Sequence, residues 1–178
     1  MNLRTILIVL VGIVAGYLAY ATLNRSDKPQ TADAVELEFA AAPEFTSTTL
    51  DGNKLSLDSL AGDVVLVNFW ATWCAPCRIE MPMLKQLQSE FKEDGLSIVG
   101  VSVDEGDTEI VVDYANEFQF NYPVLHDKGT MARDYSAEYA VPTTVVIDRS
   151  GRVRHRIIGL VEEEVLRTIV LELLREPV

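Results

Sequence analysis

The distribution of apolar positions divides the chain into three parts. Residues 5–23 carry no charge and are almost entirely apolar, residues 25–42 are polar and alanine-rich without a sustained period, and regular alternation begins near Pro43. A helix over the first of these runs would reach about 28 Å, close to the hydrocarbon thickness of a bilayer. We therefore predict a membrane anchor or signal segment over 1–24, a tether over 25–42 and a folded domain over 43–178.

The first segment fits either of two export signals. Tyr17 and Tyr20 lie toward its end, where interfacial aromatic residues are common, and the apolar run is long enough to span a bilayer. Ala19-Tyr20-Ala21 is also typical of a signal cleavage site. We predict an uncleaved transmembrane helix that anchors the chain in the cell membrane by a single pass, with the domain on the extracytoplasmic (periplasmic) side. The alternative is a cleaved signal, which exports the domain equally.

Within the predicted domain, strand and helix patterns alternate. Val64–Phe69 is a continuous apolar run, typical of a strand covered on both faces, and a helical period follows it from Cys74 to Phe91. We assign the apolar face of that helix to Ile79, Met83, Leu84, Leu87 and Phe91. Asp51-Gly52-Asn53 lies between two short alternating runs and predicts a hairpin before the buried strand.

The remaining pattern completes an α/β arrangement. Strands are predicted over 96–103, 122–125, 143–147 and 153–158, and helices over 109–118, 131–135 and 161–174. The turn composition of residues 148–151 makes the last two strands an antiparallel hairpin. Strands that alternate with helices and close in a hairpin predict a central mixed sheet with helices on both faces.

The charge distribution argues against one class of partner. The formal net charge is −12 at pH 7, and Arg4 is the only charged residue before Arg25, so the acidic excess lies in the tether and the domain. Because a surface of that sign repels phosphate backbones, we predict no nucleic-acid partner. The acidic stretch VDEGDTE, residues 103–109, is interpreted as a solvated loop.

Both cysteines of the chain lie in VVLVNFWATWCAPCRIEMP, residues 64–82, where the strand gives way to the helix. Cys74 is placed at the helix N-terminus, where free N–H groups and the helix dipole stabilise a thiolate. Cys77 lies one turn further in, about 5–6 Å away and within disulfide reach. Pro76 is tolerated in the first turn, because its missing N–H would have no helical partner. We predict a redox pair in which Cys74 attacks and Cys77 resolves.

Two other uses of a C-x-x-C pair fit the sequence less well. A structural disulfide that closes so short a loop removes little chain entropy. A zinc site needs four ligands, and His126 and His155 are not in paired-ligand spacing. We assign both histidines to the surface or the last hairpin, and we predict no metal and no cofactor.

The motifs around the cysteines resemble those of a known family. FWATWCAPC, together with VPT at 141–143, resembles the thioredoxin fold, and NFWATWCAPCRIEMP is similar to the membrane-tethered thiol–disulfide oxidoreductases of the TlpA/ResA/CcmG type. The resemblance covers residues 43–175 and implies a thioredoxin fold with a central β–α insertion. It also implies that Pro142 forms a cis peptide bond beside the cysteines, so that a substrate strand pairs with Val141 while its own cysteine meets Cys74.

The same resemblance bears on an acid near the cysteines. The anchored family has a C-x-x-C-x-x-E-x-P run, which makes Glu80 a candidate that raises the pKa of the Cys77 thiol and accepts its proton; the alternative is a solvated helix glutamate. Thioredoxins carry an aspartate where this chain has Asn68, and an amide cannot relay protons. We expect Glu80 near the surface of the active-site face. The predicted substrate-binding residues are Trp73, Pro76, Val141 and Pro142.

By resemblance, the chain is an enzyme that reduces disulfides in selected exported proteins. Its substrates would be apocytochrome c or metal-site assembly proteins, as in cytochrome c biogenesis, and its electrons would come from a membrane thiol transporter. One alternative is a Sco-like copper chaperone, although those proteins use C-x-x-x-C with a distant histidine. Another is a peroxiredoxin-like thiol peroxidase, which expects P-x-x-x-T-x-x-C, whereas Thr72 lies two residues before Cys74.

Overall fold

A computed structural model describes Asn2 and residues 40–177. The chain divides into two units, Met1–Glu36 and Leu37–Val178, and the second contains every described residue except Asn2. Among the described residues, no helix is long and apolar enough to cross a membrane. The predicted anchor, apart from Asn2, and nearly all of the tether lie outside the described residues, so both stay predictions, as do the domain boundaries.

The part of the chain that the structure describes has seven strands and four α-helices, and each predicted element is present within two residues of its predicted bounds. In chain order they are β1 (Thr46–Thr48), β2 (Lys54–Ser56), β3 (Val64–Trp70), α1 (Ala75–Phe91), β4 (Leu96–Ser102), α2 (Thr108–Phe118), β5 (Val124–His126), α3 (Thr130–Asp134), β6 (Thr143–Ile147), β7 (Val153–Ile158) and α4 (Glu163–Arg175). Short 3-10 helices follow β2 and α1. The element order agrees with the pattern of the sequence.

Five strands form a central mixed sheet in the order β5-β4-β3-β6-β7. β3, β4 and β5 are parallel, and β6 and β7 are antiparallel to their neighbours. β1 and β2 form the predicted N-terminal hairpin, which is joined to β5 where Leu50 N donates to Val124 O at 2.9 Å. α2 and β5 make up the predicted β–α insertion. The architecture is a thioredoxin-like α/β fold.

β3 lies in the centre of the sheet, and all seven of its residues are buried. Its side chains alternate between the two faces. Val65, Val67 and Phe69 pack in the core that includes α3, whereas Val64 and Leu66 pack in the core formed with α1 and α4. Both faces of the strand are covered, which is why its sequence is almost entirely apolar. Trp70, at its end, pairs with Ser102 of β4 and precedes the cysteine loop.

The predicted apolar face of α1 is wrong at its start. Ile79 is 67% exposed and Met83 is only partly buried, whereas Met81 is buried. The buried residues of the helix are Cys77, Glu80, Met81, Leu84, Leu87, Gln88 and Phe91. These recur every three or four positions from Cys77, so the buried stripe begins at the cysteine and passes through Glu80. Ile79 lies off that stripe.

Candidate active site

The two cysteines form a disulfide at the start of α1, with Cα atoms 5.3 Å apart. Cys74 is the N-cap residue, and its Sγ accepts a hydrogen bond from Cys77 N at 3.2 Å. Both side chains are buried, and Pro76 is exposed in the first turn. The predicted position of the pair at the helix N-terminus is confirmed. Backbone N–H groups and the helix dipole therefore act on the sulfur of Cys74.

The loop that carries Cys74 is fastened by Asp104, which follows β4. Its carboxylate accepts from Thr72 N at 3.0 Å, from Thr72 Oγ1 at 2.6 Å and from Ser102 Oγ at 2.8 Å. Asp104 is buried, so the interpretation of residues 103–109 as a solvated loop is wrong at this position. The signal that could have found it is topological, because neighbouring parallel strands end at the same edge of a sheet.

The Val141–Pro142 peptide bond is cis, as the resemblance implied. Pro142 is buried, and Val141 packs against the apolar cluster that contains both cysteines. Thr143 Oγ1 donates to Ala140 O at 2.7 Å and fixes the turn before β6. Among the described residues, the backbone N–H and C=O of Val141 have no hydrogen-bond partner. A polar backbone edge is therefore open beside the disulfide.

A groove of about 930 Å³ runs past this edge. It is bounded by Trp73 and Val141 near the cysteines and by Tyr139 and Lys128 further away. The side chains of Trp73 and Tyr139 are 70% and 89% exposed. Large exposed aromatic surfaces beside an open backbone edge suit the binding of an extended polypeptide.

Glu80 is buried beneath the cysteine pair, and the expectation of a position near the surface is wrong. Its Oε1 accepts from Asn68 Nδ2 and from Thr144 Oγ1, each at 3.2 Å. Asn68 also donates to Thr144 Oγ1 at 3.0 Å. Burial, opposed by the hydrogen bond from Thr144, raises the pKa of Glu80 from 4.5 to about 7. Asn68, for which the sequence offered no role, is thus a direct partner of this acid.

The two histidines differ in their surroundings. His155 is exposed on β7, in the last hairpin, as predicted. His126 is half-buried; its Nε2 lies 2.8 Å from Asp104 O and its Nδ1 lies 2.8 Å from Thr108 Oγ1, so it bridges the loop that follows β4. Within residues 40–177, no group of three or more His, Cys, Asp and Glu side chains is arranged to hold a metal ion.

Taken together, a C-x-x-C disulfide at a helix N-terminus, a cis-proline beside it and a buried acid behind it can support thiol–disulfide exchange. Residues 40–156 match the family model described as the AhpC/TSA family.

The chain belongs to the AhpC/TSA family.

Its relatives agree on the chemistry. It is 40% identical over 119 residues to the thiol-disulfide oxidoreductase ResA of Bacillus cereus, covering 66% of this chain and 68% of that protein. It is 35% identical over 157 residues to the thioredoxin-like protein YneN of Bacillus subtilis, covering 86% of each. A crystal structure of a thiol:disulfide interchange protein of the thioredoxin family from Chlorobium tepidum superimposes with a TM-score of 0.70 at 34% identity, covering 76% of this chain and 96% of that one. The chain is a thioredoxin-like thiol–disulfide oxidoreductase.

Proposed function

We propose that this oxidoreductase reduces disulfides of selected exported proteins through Cys74, while residues 1–24 anchor it in the cell membrane with the domain on the extracytoplasmic side. The proposal rests on one observation: the Cys74–Cys77 disulfide lies beside the open backbone edge at Val141. An enzyme acting on protein disulfides needs both a reactive pair and a surface that aligns a polypeptide beside it.

In the reduced enzyme, the Cys74 thiolate attacks one sulfur of a substrate disulfide. A bond forms between Cys74 and that sulfur, the substrate disulfide breaks, and the other substrate sulfur leaves as a thiolate. Cys77 then loses its proton and attacks the Cys74 sulfur. The mixed disulfide breaks, the second substrate thiolate is released, and two electrons have passed from the enzyme to the substrate.

The structure gives the two cysteines different surroundings that suit these roles. Cys74 caps the helix, where the dipole stabilises negative charge, and it directly follows Trp73, which lines the groove. Cys77 lies inside the first turn with its backbone N–H directed at Cys74 Sγ. These surroundings support Cys74 as the thiol that attacks the substrate and Cys77 as the thiol that resolves the mixed disulfide.

Glu80 is proposed as the acceptor of the Cys77 proton. The two residues lie one turn apart on the buried stripe of α1. With a pKa raised to about 7 by burial, Glu80 is partly ionised at neutral pH and can both accept and return a proton. An exposed glutamate of ordinary pKa would be a weaker base at the same pH.

The substrate-binding residues in this proposal are Trp73, Pro76, Val141 and Pro142. Trp73 and Pro76 are exposed, and the Val141 backbone has no hydrogen-bond partner among the described residues. The substrates would be oxidised exported proteins, such as apocytochrome c or metal-site assembly proteins, and a membrane thiol transporter would return the enzyme to its reduced form. These partners rest on the resemblance to the TlpA/ResA/CcmG type.

Trapping of the mixed disulfide tests the proposed exchange. Cys77→Ser leaves Cys74 able to attack but unable to resolve, so a covalent enzyme–insulin adduct should accumulate and disappear with dithiothreitol. Cys74→Ser is the matched control, and it should form no adduct and reduce no insulin. Adducts with Cys74→Ser but none with Cys77→Ser would reverse the two roles, and no adduct with either variant would refute exchange through this pair.

A further inference from the structure

Three buried polar atoms close to the redox site have no hydrogen-bond partner among the described residues. They are Glu80 Oε2, the Tyr122 hydroxyl and Trp70 Nε1. Tyr122 is 6% exposed, and Trp70 and Glu80 are less exposed still. Buried polar atoms are normally paired, with protein or with ordered water, because an unpaired one is unfavourable. Because these three unpaired atoms lie on one side of the sheet, we interpret them as one polar cluster.

A glycine in β4 allows this cluster to form. Gly100 is the lateral neighbour of Asn68 on β3 and of Val124 on β5. A Cβ at Gly100 would lie 3.2 Å from Trp70 Nε1 and 3.2 Å from Tyr122 Cε2. The indole N–H and the tyrosine ring therefore meet over the glycine, in the row of the sheet where Asn68 and Thr144 hold the other oxygen of Glu80.

Electrostatics link Tyr122 to Glu80 as well. The pKa of Tyr122 is raised above its ordinary value, first by burial and then by the negative charge of Glu80. The hydroxyl consequently keeps its proton at neutral pH. A hydroxyl that keeps its proton near a carboxylate is a hydrogen-bond donor, and donation to the ionised form favours that form.

We propose that Tyr122 is a positioning residue of the redox site, whose hydroxyl donates to Glu80 through one ordered water and so favours the ionised carboxylate that accepts the Cys77 proton. This inference rests on the proposed function of Glu80. The uncharged Asn68 and Thr144, on β3 and β6, contact the Glu80 carboxylate, and Tyr122, before β5, interacts with its charge. Cys77 lies one turn before Glu80 on the buried stripe of α1. The Tyr114 hydroxyl of α2 lies instead near Met81 Sδ, at 3.9 Å.

Tyr122→Phe tests the inference, because it removes the hydroxyl and keeps the ring. The oxidised full chain, in detergent and labelled with ¹³C at glutamate carboxyls, is titrated by NMR, and the Glu80 signal is assigned by its loss in Glu80→Gln. The wild-type midpoint is expected near pH 7. Loss of a hydrogen bond to a charged group should raise it by about one pH unit in Tyr122→Phe. Resolution of the mixed disulfide at pH 7 should then slow about fivefold, since less Glu80 is ionised.

Tyr135→Phe is the matched control. Tyr135 is also buried, and its hydroxyl donates to Pro43 O at 2.6 Å in the core on the other side of the sheet. The control should leave the Glu80 midpoint and the pH profile of resolution unchanged. In the double variant Glu80→Gln/Tyr122→Phe, resolution should match that of Glu80→Gln alone.

An unchanged midpoint in Tyr122→Phe, or an equal shift in Tyr135→Phe, would overturn the inference. A wild-type measurement covers the case in which Tyr122→Phe does not fold: the ring ¹³Cζ resonance of Tyr122 should titrate with the Glu80 midpoint, and a resonance that does not change with pH would also overturn the inference. If the wild type itself reduces no insulin, the proposed function fails. If it reduces insulin and only the Tyr122 shift is absent, the proposed function stands without Tyr122.

Discussion

Replacing Glu80 by glutamine should make the folded protein more stable at neutral and alkaline pH. In the wild-type fold, burial raises the pKa of Glu80 from 4.5 to about 7, so the fold favours the protonated acid. That contribution is fully present below about pH 4.5 and is lost as the pH rises through 7. A difference of about 2.5 pKa units corresponds to about 3 kcal/mol in the free energy of unfolding.

The glutamine side chain keeps an oxygen that can accept from Asn68 and Thr144, and it does not ionise. Urea unfolding of the oxidised protein, measured from about pH 4 to pH 8, should therefore show the variant gaining about 3 kcal/mol over the wild type across this window. Glu117→Gln, at an exposed position on α2, is the control and should show a constant difference. A constant difference for Glu80→Gln as well would refute the reasoning about the buried acid.

Three further predictions concern the loop, the groove and the anchor. Asp104→Ala removes the acceptor for the N–H and hydroxyl of Thr72 and for the hydroxyl of Ser102. The free energy of unfolding in urea should therefore fall by about 1–3 kcal/mol, and an unchanged unfolding midpoint would contradict this. Trp73→Ala should lower kcat/KM for insulin several-fold, about 1 kcal/mol of lost contact, while reduction of a small aromatic disulfide stays nearly unchanged; equal losses for both would argue against a polypeptide contact. Full-length protein should resist salt extraction from membranes and retain residues before Ala21, whereas a soluble form beginning at Thr22 would establish cleavage.

The architecture could be predicted because each element has a local signature. The buried strand β3 is apolar along its length, the hairpins are bounded by turn residues, and Cys74 precedes a clear helical period. The position of the cysteine pair then follows from the strand–helix junction. For these features, short-range pattern and tertiary structure agree, so the sequence alone was sufficient.

The surroundings of the cysteines depend on long-range register, which the pattern does not contain. Glu80 contacts Asn68 and Thr144. Asn68 and Thr144 are themselves 76 positions apart in the sequence. An apolar face that begins at Ile79 predicts a solvent-facing Glu80, whereas the buried stripe of α1 contains Glu80 and leaves Ile79 exposed. A glutamate also weakens any apolar period, so a buried acid in a helix resembles a solvent-facing one until its partners across the sheet are known.

Asp104 shows the same limit for a loop. Its neighbours in sequence are acidic, which favours a solvated segment, yet its carboxylate faces inward because β3 and β4 end side by side, with Trp70 paired to Ser102. The acceptors for the Thr72 N–H and hydroxyl are the carboxylate oxygens of Asp104, just beyond the end of the adjacent strand. The acidic composition predicts the solvation of the segment as a whole, whereas the parallel pairing of β3 and β4 determines that Asp104 is buried.

The reduction potential of the Cys74–Cys77 couple tests most directly whether the enzyme works as a reductant. The full-length protein would be equilibrated with dithiothreitol buffers of defined ratio, and the fraction of free thiols would be read from the mass added by alkylation. A value near the roughly −270 mV of thioredoxin is expected for an enzyme that gives electrons to protein disulfides. A value near roughly −120 mV, typical of a strong disulfide donor, would contradict the proposed direction of electron flow.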